Sequence, residues 1–349
     1  MKNFQKTNAS IDLLRFIFAS AIVIHHIEQY RASCGFVNYW ENATIISFGK
    51  TSIIFFFVLS GYLVTNSFLR QATFDIKKFY KRRLLRIAPL YYILVCCSIF
   101  IFPNISLLNN APSLADTTQN LLYFLFLPNI VLAAFPANPF LAHTWFVGTT
   151  EQYHFLSALC YKYSKSRQTY AFLLMALVAI YWAFGLYVKI FAQESFLYIF
   201  WHYFNIDCLA IGAIFALLPK EGKWISLLKT KCVFIVSTLV FIFLLISGIV
   251  IPFVYNQLLA LCFGIFIYNI MQHDISFASA NGVVRFLGKI SYSIYMIHPI
   301  VIICTINLLQ EYANATILTY GFVVLFTLLV ASAYHVFIEK RITDKPFSH

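Results

Sequence analysis

The chain has 349 residues, of which 61% are hydrophobic and only 11% are charged, and its formal net charge is +12. Soluble domains are about 45–50% apolar and about 25% charged, so this composition excludes an ordinary water-soluble domain and indicates a protein embedded in lipid. The cations lie between apolar runs rather than along a basic stripe with interleaved aromatic residues, which argues against nucleic acid as a partner. The eight cysteines include no Cys-x-x-Cys pair, so we expect neither a disulfide framework nor a metal site.

About ten apolar stretches approach the roughly 20 residues that a transmembrane helix needs. We predict spans at about 11–29, 48–69, 88–103, 144–161, 169–190, 197–218, 232–251, 253–271, 288–309 and 316–338. The third is short, and 121–135 is a candidate for an additional re-entrant piece. We expect the first run to be retained, because no small-residue cleavage site follows it. The fold prediction is an all-α, polytopic integral membrane bundle, a single domain with its core at about 10–340 and no soluble domain.

The basic residues alternate between loops, and this alternation predicts the orientation of the bundle. Lysine and arginine are concentrated at 70–86, 162–167, 220–231, 285–289 and 340–345. The intervening loops are poor in cations, and the stretch from Pro103 to His143 contains only Asp116 as a charge. Cytoplasmic loops carry the excess of lysine and arginine, so both termini are predicted to be cytoplasmic. The long loop then faces outward, where an external substrate is recognised or covered.

Arg15 and His26 stand near the two ends of the first apolar stretch. A helix brings residues eleven positions apart to within about 20° of the same face, about 16 Å apart along the axis. Ionisable groups inside spans are costly and are candidates for function. A snorkelling arginine and an interfacial histidine are the alternative interpretation of the same pattern.

Two further motifs lie on the second span and on the loop that follows it. Ser60 and Gly61 stand in the middle of FFFVLSGYL (Phe55–Leu63), where small residues are typical of close helix packing. Arg83 and Arg86 are three residues apart and therefore share a helix face. They fit either a positive-inside anchor or a clamp for the phosphates of an anionic cofactor.

Polar side chains recur in the later spans. Glu151 follows Trp145 in HTWFVGTTEQYHFL, and a carboxylate at that depth requires a partner such as a histidine or a sugar hydroxyl, unless it lies in the headgroup zone. Asp207 is a second carboxylate predicted within a span. Tyr295 and His298 lie on one side of the ninth span, where they form either a polar seam between helices or part of a site.

Taken in order, these motifs resemble those of the membrane-bound acyltransferase-3 family. The resemblance extends from about residue 10 to about residue 340. It rests on Arg15-x10-His26, FFFVLSG at 55–61, RRLLRIAPLYY at 82–92, TWFVGTTEQYHFL at 144–156, DCLAIGAIFA at 207–216 and LGKISYSIYMIHP at 287–299. Two features depart from the family pattern: Thr149 and Thr150 precede Glu151 in place of a Ser-Val-Glu run, and His25 replaces an aromatic or apolar residue.

The resemblance implies an O-acyltransferase of a bacterial inner membrane. Such an enzyme transfers an acyl group, with acetyl the first expectation, from cytoplasmic acyl-CoA to a hydroxyl of a cell-surface or exported glycan or lipid-linked sugar. It implies no metal. The implied catalytic residues are His26 and Glu151, and the implied donor-binding residues are Arg15, Arg83, Arg86, Ser60 and Gly61. From the polar residues of the spans we add Asp207, Tyr295, His298 and Trp145 as candidates that bind the substrate or orient the catalytic groups. Direct attack with His26 as general base and a route through an acyl-enzyme both remain open.

Two other functions fit part of this pattern. A secondary transporter or an exporter of a lipid-linked sugar explains the spans and the buried charges equally well. Transporters often show internal repeats or paired spans broken by glycine and proline, and we find none in the sequence. An inactive partner in glycan assembly is a third interpretation, against which the intact set of Arg15, His26, Arg83 and Arg86 argues.

Overall fold

The computed structural model describes residues 8–108, 116–219, 221–249, 251, 253–272 and 281–343. Two of the segments used to predict the orientation extend beyond these ranges, because Lys220 and Lys345 lie outside the described residues, as does 109–115 of the long loop.

Helices account for all the regular structure in the described ranges, where no strand occurs, and this confirms the all-α prediction. The helices are α1 (Ala9–Ser33), α2 (Ala43–Leu69), α3 (Ile76–Cys96), α4 (Thr117–Phe124), α5 (Pro128–Ala134), α6 (Trp145–Tyr163), α7 (Arg167–Phe191), α8 (Phe196–Tyr203), α9 (Ile206–Leu217), α10 (Lys223–Leu228), α11 (Lys231–Ser247), α12 (Tyr255–Gln272), α13 (Gly282–Leu309), α14 (Thr316–Tyr334) and α15 (Lys340–Thr343). A π-helical turn extends α3 over Cys97–Ile101, and a second one, His335–Glu339, joins α14 to α15.

Seven helical segments of the described chain are long and apolar enough to cross a membrane, so the chain is an integral membrane protein. They are Ala9–Ser33, Ala43–Leu69, Ile76–Asn104, Arg167–Phe191, Phe196–Leu217, Gly282–Leu309 and Thr316–Thr343. The predicted count of ten is not confirmed. The other three predicted spans coincide with α6, α11 and α12. Helix α11 has only 17 residues, whereas α6 and α12 carry polar side chains such as Glu151, His154 and Gln257. Two short helices, α4 and α5, occupy the stretch predicted as a re-entrant piece.

The outward faces of α7, α11 and α14 are strongly apolar. Large side chains such as Phe172, Ile180, Leu239, Phe243 and Leu329 are exposed there. Soluble monomers rarely expose contiguous apolar surface of this kind, so these faces fit contact with lipid tails.

The long helices run between two ends of the bundle. At one end, here called the basic end, α2 finishes and α3 begins, and α1 starts beside the end of α12, where the Asn8 side-chain amide donates to the Ile270 carbonyl at 3.5 Å. At the opposite end, α1 finishes and α2 begins beside the end of α11. The Thr44 hydroxyl donates there to the Ile246 carbonyl at 3.3 Å.

Helices α2 and α9 approach closely because each presents a glycine to the other. A Cβ atom added at Gly61 would overlap the carbonyl oxygen of Leu209, and one added at Gly212 would overlap that of Val58. Small residues permit this approach of two backbones within a membrane. The contact fixes the position of Ser60, the residue before Gly61.

A buried ion pair ties α1 to α14 at the opposite end. Arg31 Nη1 donates to Glu28 Oε1 at 2.9 Å, and neither side chain is exposed to solvent. Arg31 Nη2 also donates to the Thr316 hydroxyl at 3.0 Å. Glu28 accepts further bonds from the Tyr320 hydroxyl at 2.8 Å and from the Tyr39 backbone N–H. The pair is stabilised because both ions make several hydrogen bonds.

Candidate active site

His26 lies on α1 with one ring nitrogen fixed by a neighbour. Helix α1 is continuous from Ala9 to Ser33, so Arg15 and His26 do share one stripe about 16 Å long. His26 Nδ1 is 2.8 Å from Gln29 Oε1. An amide oxygen only accepts, so Nδ1 carries the proton and Nε2 keeps a lone pair. That tautomer suits a general base that takes a proton from a hydroxyl.

The ring of His298 stacks on that of His26, with 5.1 Å between the centroids. His298 precedes Pro299 inside α13. Proline has no N–H, so the carbonyl of Tyr295, four residues earlier, loses its helical donor. His298 Nδ1 donates to that carbonyl at 2.6 Å. The other nitrogen, His298 Nε2, is buried and has no partner in the described part of the chain.

His143 completes a group that we call the histidine cluster, formed by His26, His143 and His298. The rings of His143 and His298 have centroids 5.4 Å apart. His143 Nε2 donates to the Met296 carbonyl at 3.1 Å, and the Tyr295 hydroxyl donates to the His143 carbonyl at 2.5 Å. His143 Nδ1 is buried without a partner among the described residues. The cluster therefore offers unpaired nitrogen atoms to a ligand hydroxyl.

No group of histidine, cysteine, aspartate or glutamate in the described ranges has the arrangement of a metal site. In the histidine cluster, two of the ring nitrogens are already used as donors to main-chain carbonyls, by His143 and His298.

His25 takes no part in this cluster beyond edge contact with His26. Its Nδ1 is 3.0 Å from the Ile45 carbonyl, and its ring lies 4.9 Å from that of Trp40. A Cβ atom added at Gly49 would come within 2.6 Å of the His25 ring. His25 therefore serves the packing of α1 against α2, and His26 is the histidine that faces the cluster.

Arg83 and Glu151 form a close ion pair between α3 and α6. Arg83 Nε is 2.8 Å from both carboxylate oxygens, and Nη2 is 2.7 Å from Oε1. Glu151 follows His143 by eight residues, which is about 12 Å along a helix. The structure thus places Gln29 beside His26, and it places Glu151 beside Arg83.

His154 connects this ion pair to Ser60. Its Nε2 lies within hydrogen-bond distance of Ser60 Oγ, at 3.2 Å. Its Nδ1 lies 4.0 Å from Glu151 Oε1, too far for a hydrogen bond. His154 is fully buried. Sequence reasoning missed this residue, although its position one helical turn after Glu151 was a usable signal.

Arg15 and Arg86 approach each other at the basic end. Arg15 interacts unfavourably with the charge of Arg86 and favourably with those of Asp12 and Glu339. Arg86 Nε is 3.9 Å from Glu339 Oε1, and the Arg86 side chain remains 46% exposed. The exposed N–H donors of the Arg86 guanidinium are suited to binding a phosphate group.

The remaining predicted residues lie apart from both groups. Trp145 packs against Phe57 and Tyr203, with centroids 5.8 and 5.2 Å away. Asp207 is fully buried, and its Oδ2 accepts from Gln257 Nε2 at 2.5 Å. The structure therefore brings His26 together with Tyr295 and His298 at one site. It gathers Ser60, Arg83 and Glu151 at a second site, and Asp207 lies at a third.

An open cavity of about 620 Å³ lies at the opposite end, lined by residues that include Cys34, Ile306 and Gln310. Cys34 follows His26 by eight residues, and Ile306 follows His298 by eight, a rise of about 12 Å along a helix in each case. The cavity thus lies at the opposite end of the bundle, about 12 Å beyond the histidine cluster.

Comparison with known proteins identifies a family and a relative to which the chain is similar. The family described as an acyltransferase domain matches residues 8–336. The peptidoglycan O-acetyltransferase OatA of Listeria monocytogenes serovar 1/2a is 32% identical over 104 residues, which is 28% of this chain. The match covers 14% of that relative's length. No solved structure matches the chain.

Proposed function

The chain belongs to the acyltransferase-3 family, and from that premise we propose that it transfers an acyl group from cytoplasmic acyl-CoA to a hydroxyl of a cell-surface or exported glycan. Acetyl is the proposed acyl group, because OatA is named for O-acetyl transfer to peptidoglycan. The proposed location is a bacterial inner membrane with the basic end and both termini in the cytoplasm, since lysine and arginine favour that side.

The observation that carries this proposal is the position of His26. It shares one face of α1 with Arg15, about 16 Å away, and its Nε2 is left free by the bond from Nδ1 to Gln29. A donor held by its phosphates at Arg15 and Arg86 directs its thioester along α1 toward this nitrogen. The acceptor hydroxyl approaches from the opposite end, through the cavity between Cys34 and Ile306.

The proposed reaction is direct transfer. His26 Nε2 takes the proton from the acceptor hydroxyl while that oxygen attacks the thioester carbonyl. The carbon–sulfur bond then breaks, and the same proton returns to the CoA thiolate. The products are the glycan ester and free CoA, so atoms and charge balance. Packing of the histidine cluster among α1, α13 and the turn that precedes α6 restricts water, which otherwise hydrolyses the thioester.

The remaining residues take supporting roles in this proposal. Arg83 and Arg86 bind the donor phosphates with Arg15, and Ser60 and Gly61 line the path of the donor on α2. Glu151 acts by fixing the guanidinium of Arg83 rather than by touching His26. Tyr295 and His298 hold the walls of the cluster, and Trp145 and Asp207 lie on the acceptor side.

The test is transfer of radiolabel from acetyl-CoA into glycan by membranes that contain equal amounts of folded protein. We expect His26→Ala to lower the rate at least about 100-fold, the lower range for removal of a general base. His25→Ala is the matched control and should keep most of the rate per folded molecule, because His25 packs against α2 and the loop before it and has only an edge contact with His26. Equal activity of the two variants would refute His26 as the base. No CoA-dependent label in the wild-type protein, with its glycan present, would refute the acyltransferase proposal.

A further inference from the structure

A second cavity, of about 220 Å³, lies between α2, α7, α8 and α12. We call it the aromatic pocket and define it by Lys50, Tyr181, Lys189, Trp201, Phe253 and Gln257, which are among its lining residues. Lys50 follows Gly49, the residue that contacts His25. The pocket therefore lies at the depth of the first-span histidines, on another face of α2. None of the family motifs described above covers Lys50, Lys189 or Phe253.

Aromatic rings form the walls of this pocket. Trp201 stacks on Phe253 with centroids 5.7 Å apart, and Tyr181 stacks on Trp201 with centroids 5.9 Å apart. Gly185 makes room for Trp201, because a Cβ atom there would lie 2.7 Å from the indole ring. Phe253 has a φ of 73°, a costly conformation for a residue with a side chain. In this conformation the Phe253 ring packs on Trp201.

Amide groups form the buried side of the pocket, and two of their oxygens are unused. Asn256 Nδ2 donates to Asn205 Oδ1 at 2.8 Å, and Gln257 Nε2 donates to Asp207 at 2.5 Å. Asn256 Oδ1 and Gln257 Oε1 are buried without a partner in the described ranges, and Gln257 as a residue is only 7% exposed. A buried acceptor that lacks a donor costs free energy, so these oxygens require a ligand that donates hydrogen bonds.

Two ammonium groups stand at the rim. Lys50 Nζ lies 4.7 Å from the centre of the Tyr255 ring, and Lys189 Nζ lies 5.5 Å from the centre of the Phe253 ring. The described residues that line the pocket include no carboxylate. The two cations therefore favour a ligand that carries negative charge.

We propose that the aromatic pocket binds an acidic sugar, a uronate or phosphate-bearing residue of the acceptor glycan that neighbours the sugar being acylated. The apolar face of the sugar packs against the aromatic side chains that line the pocket. Its hydroxyls donate to Asn256 and Gln257, and its acidic group lies between Lys50 and Lys189. This inference rests on the proposed function, because it makes the bound sugar part of the acceptor. It adds that the acceptor is anionic.

The pocket suits a sugar better than an anionic phospholipid headgroup. Pockets for drug-sized ligands measure about 300–1,000 Å³, so this smaller cavity fits one ring. The aromatic side chains that line the pocket suit the flat apolar face of a pyranose. A phosphatidylglycerol headgroup also supplies hydroxyl donors, but it has no ring with a flat apolar face to pack on the aromatic side chains.

The test measures quenching of intrinsic tryptophan fluorescence in the full chain, reconstituted in nanodiscs of phosphatidylcholine. The probes are methyl glucuronide and, as its neutral match, methyl glucoside. We expect saturable quenching by the glucuronide with a Kd at least tenfold lower than for the glucoside. Lys50→Gln should raise the glucuronide Kd about tenfold, whereas Lys50→Arg should preserve it.

Lys162→Gln is the matched control, since Lys162 also lies over an aromatic ring, that of Tyr163 at 5.4 Å, but outside the pocket. Equal Kd values for the two sugars, or no effect of Lys50→Gln, would overturn the inference. Displacement of the glucuronide by 10% phosphatidylglycerol in the nanodisc, with unchanged transfer to glycan in Lys50→Gln, would assign the pocket to lipid and also overturn it. Sugar binding is measured without acetyl-CoA. A failure of this inference is therefore distinguished from a failure of the proposed acyltransferase function.

Discussion

Two charged residues of this protein are buried between helices near one end of the bundle. Glu28 and Arg31 are completely buried and are held by bonds from Tyr320, Tyr39 and Thr316. Replacing one member of such a pair leaves the other charge uncompensated, which costs far more than the net contribution of the intact pair.

We therefore expect Glu28→Ala to lower the free energy of unfolding by about 3–5 kcal/mol. The measurement is chemical unfolding of the purified protein in mixed micelles. Glu41→Ala is the matched control, because Glu41 is exposed at the same end of the bundle, and it should stay within about 0.5 kcal/mol of wild type. Replacing both residues, as Glu28→Leu with Arg31→Leu, should restore part of the loss. A single variant as stable as the Glu41 control would contradict the inferred burial of the pair.

For single residues, the sequence predicted the relative positions of side chains that lie on the same helix. Arg15 and His26 share a face of α1 because helical geometry alone relates them. The partners of those residues belong to other helices or depend on side-chain conformation. Three contacts were therefore not predicted: that of Gln29 with His26, that of Glu151 with Arg83, and that of His154 with Ser60.

At the scale of elements, the contact of α2 with α9 depends on reciprocal glycines. Gly61 faces the Leu209 carbonyl and Gly212 faces the Val58 carbonyl, so a methyl group at either position forces the helices apart. The same contact sets where Ser60 meets His154. A change in the packing of α2 against α9 therefore shifts Ser60 relative to His154 and Glu151.

We expect Gly61→Ala and Gly212→Ala each to destabilise the protein by about 1–3 kcal/mol through overpacking. Unfolding in mixed micelles measures this loss. Gly321→Ala is the control on α14, where an added Cβ meets nothing within 4 Å. It should be neutral or slightly stabilising, because alanine favours a helix over glycine. If the α2 and α9 variants matched that control, close packing would not be the role of these glycines.

The apolar runs of the sequence predicted the positions of the long helices. Polar residues within those runs made the number of membrane spans uncertain to predict. The ten predicted spans coincide with helices, but three of those helices lack the length or apolarity of a span. Helix α12 carries Asn256 and Gln257 because it faces a pocket. The sequence pattern of one helix does not show which other helices pack against its polar residues. The pocket, which four helices form together, was therefore not predicted.

The whole molecule has two chemically different ends. Arginines dominate the end where α2 finishes and α3 begins, whereas the histidine cluster, the cavity at Cys34 and the aromatic pocket lie toward the other end. This division fits an enzyme that takes an anionic donor from one side of a membrane and a sugar from the other. This interpretation requires that the basic end faces the cytoplasm, as the distribution of lysine and arginine predicts.

Two native cysteines allow that orientation to be measured. Cys34 is exposed at the opposite end, and Cys232 is exposed at the start of α11, at the basic end. We expect a membrane-impermeant maleimide to label intact spheroplasts through Cys34 alone, because Cys232 is then on the cytoplasmic side. Labelling should disappear in Cys34→Ser and persist in Cys232→Ser. Permeabilisation should add a second label, absent in Cys232→Ser. The reverse pattern would place the arginines outside, where acyl-CoA is not available. It would contradict the proposal that a cytoplasmic donor reaches His26 from the basic end.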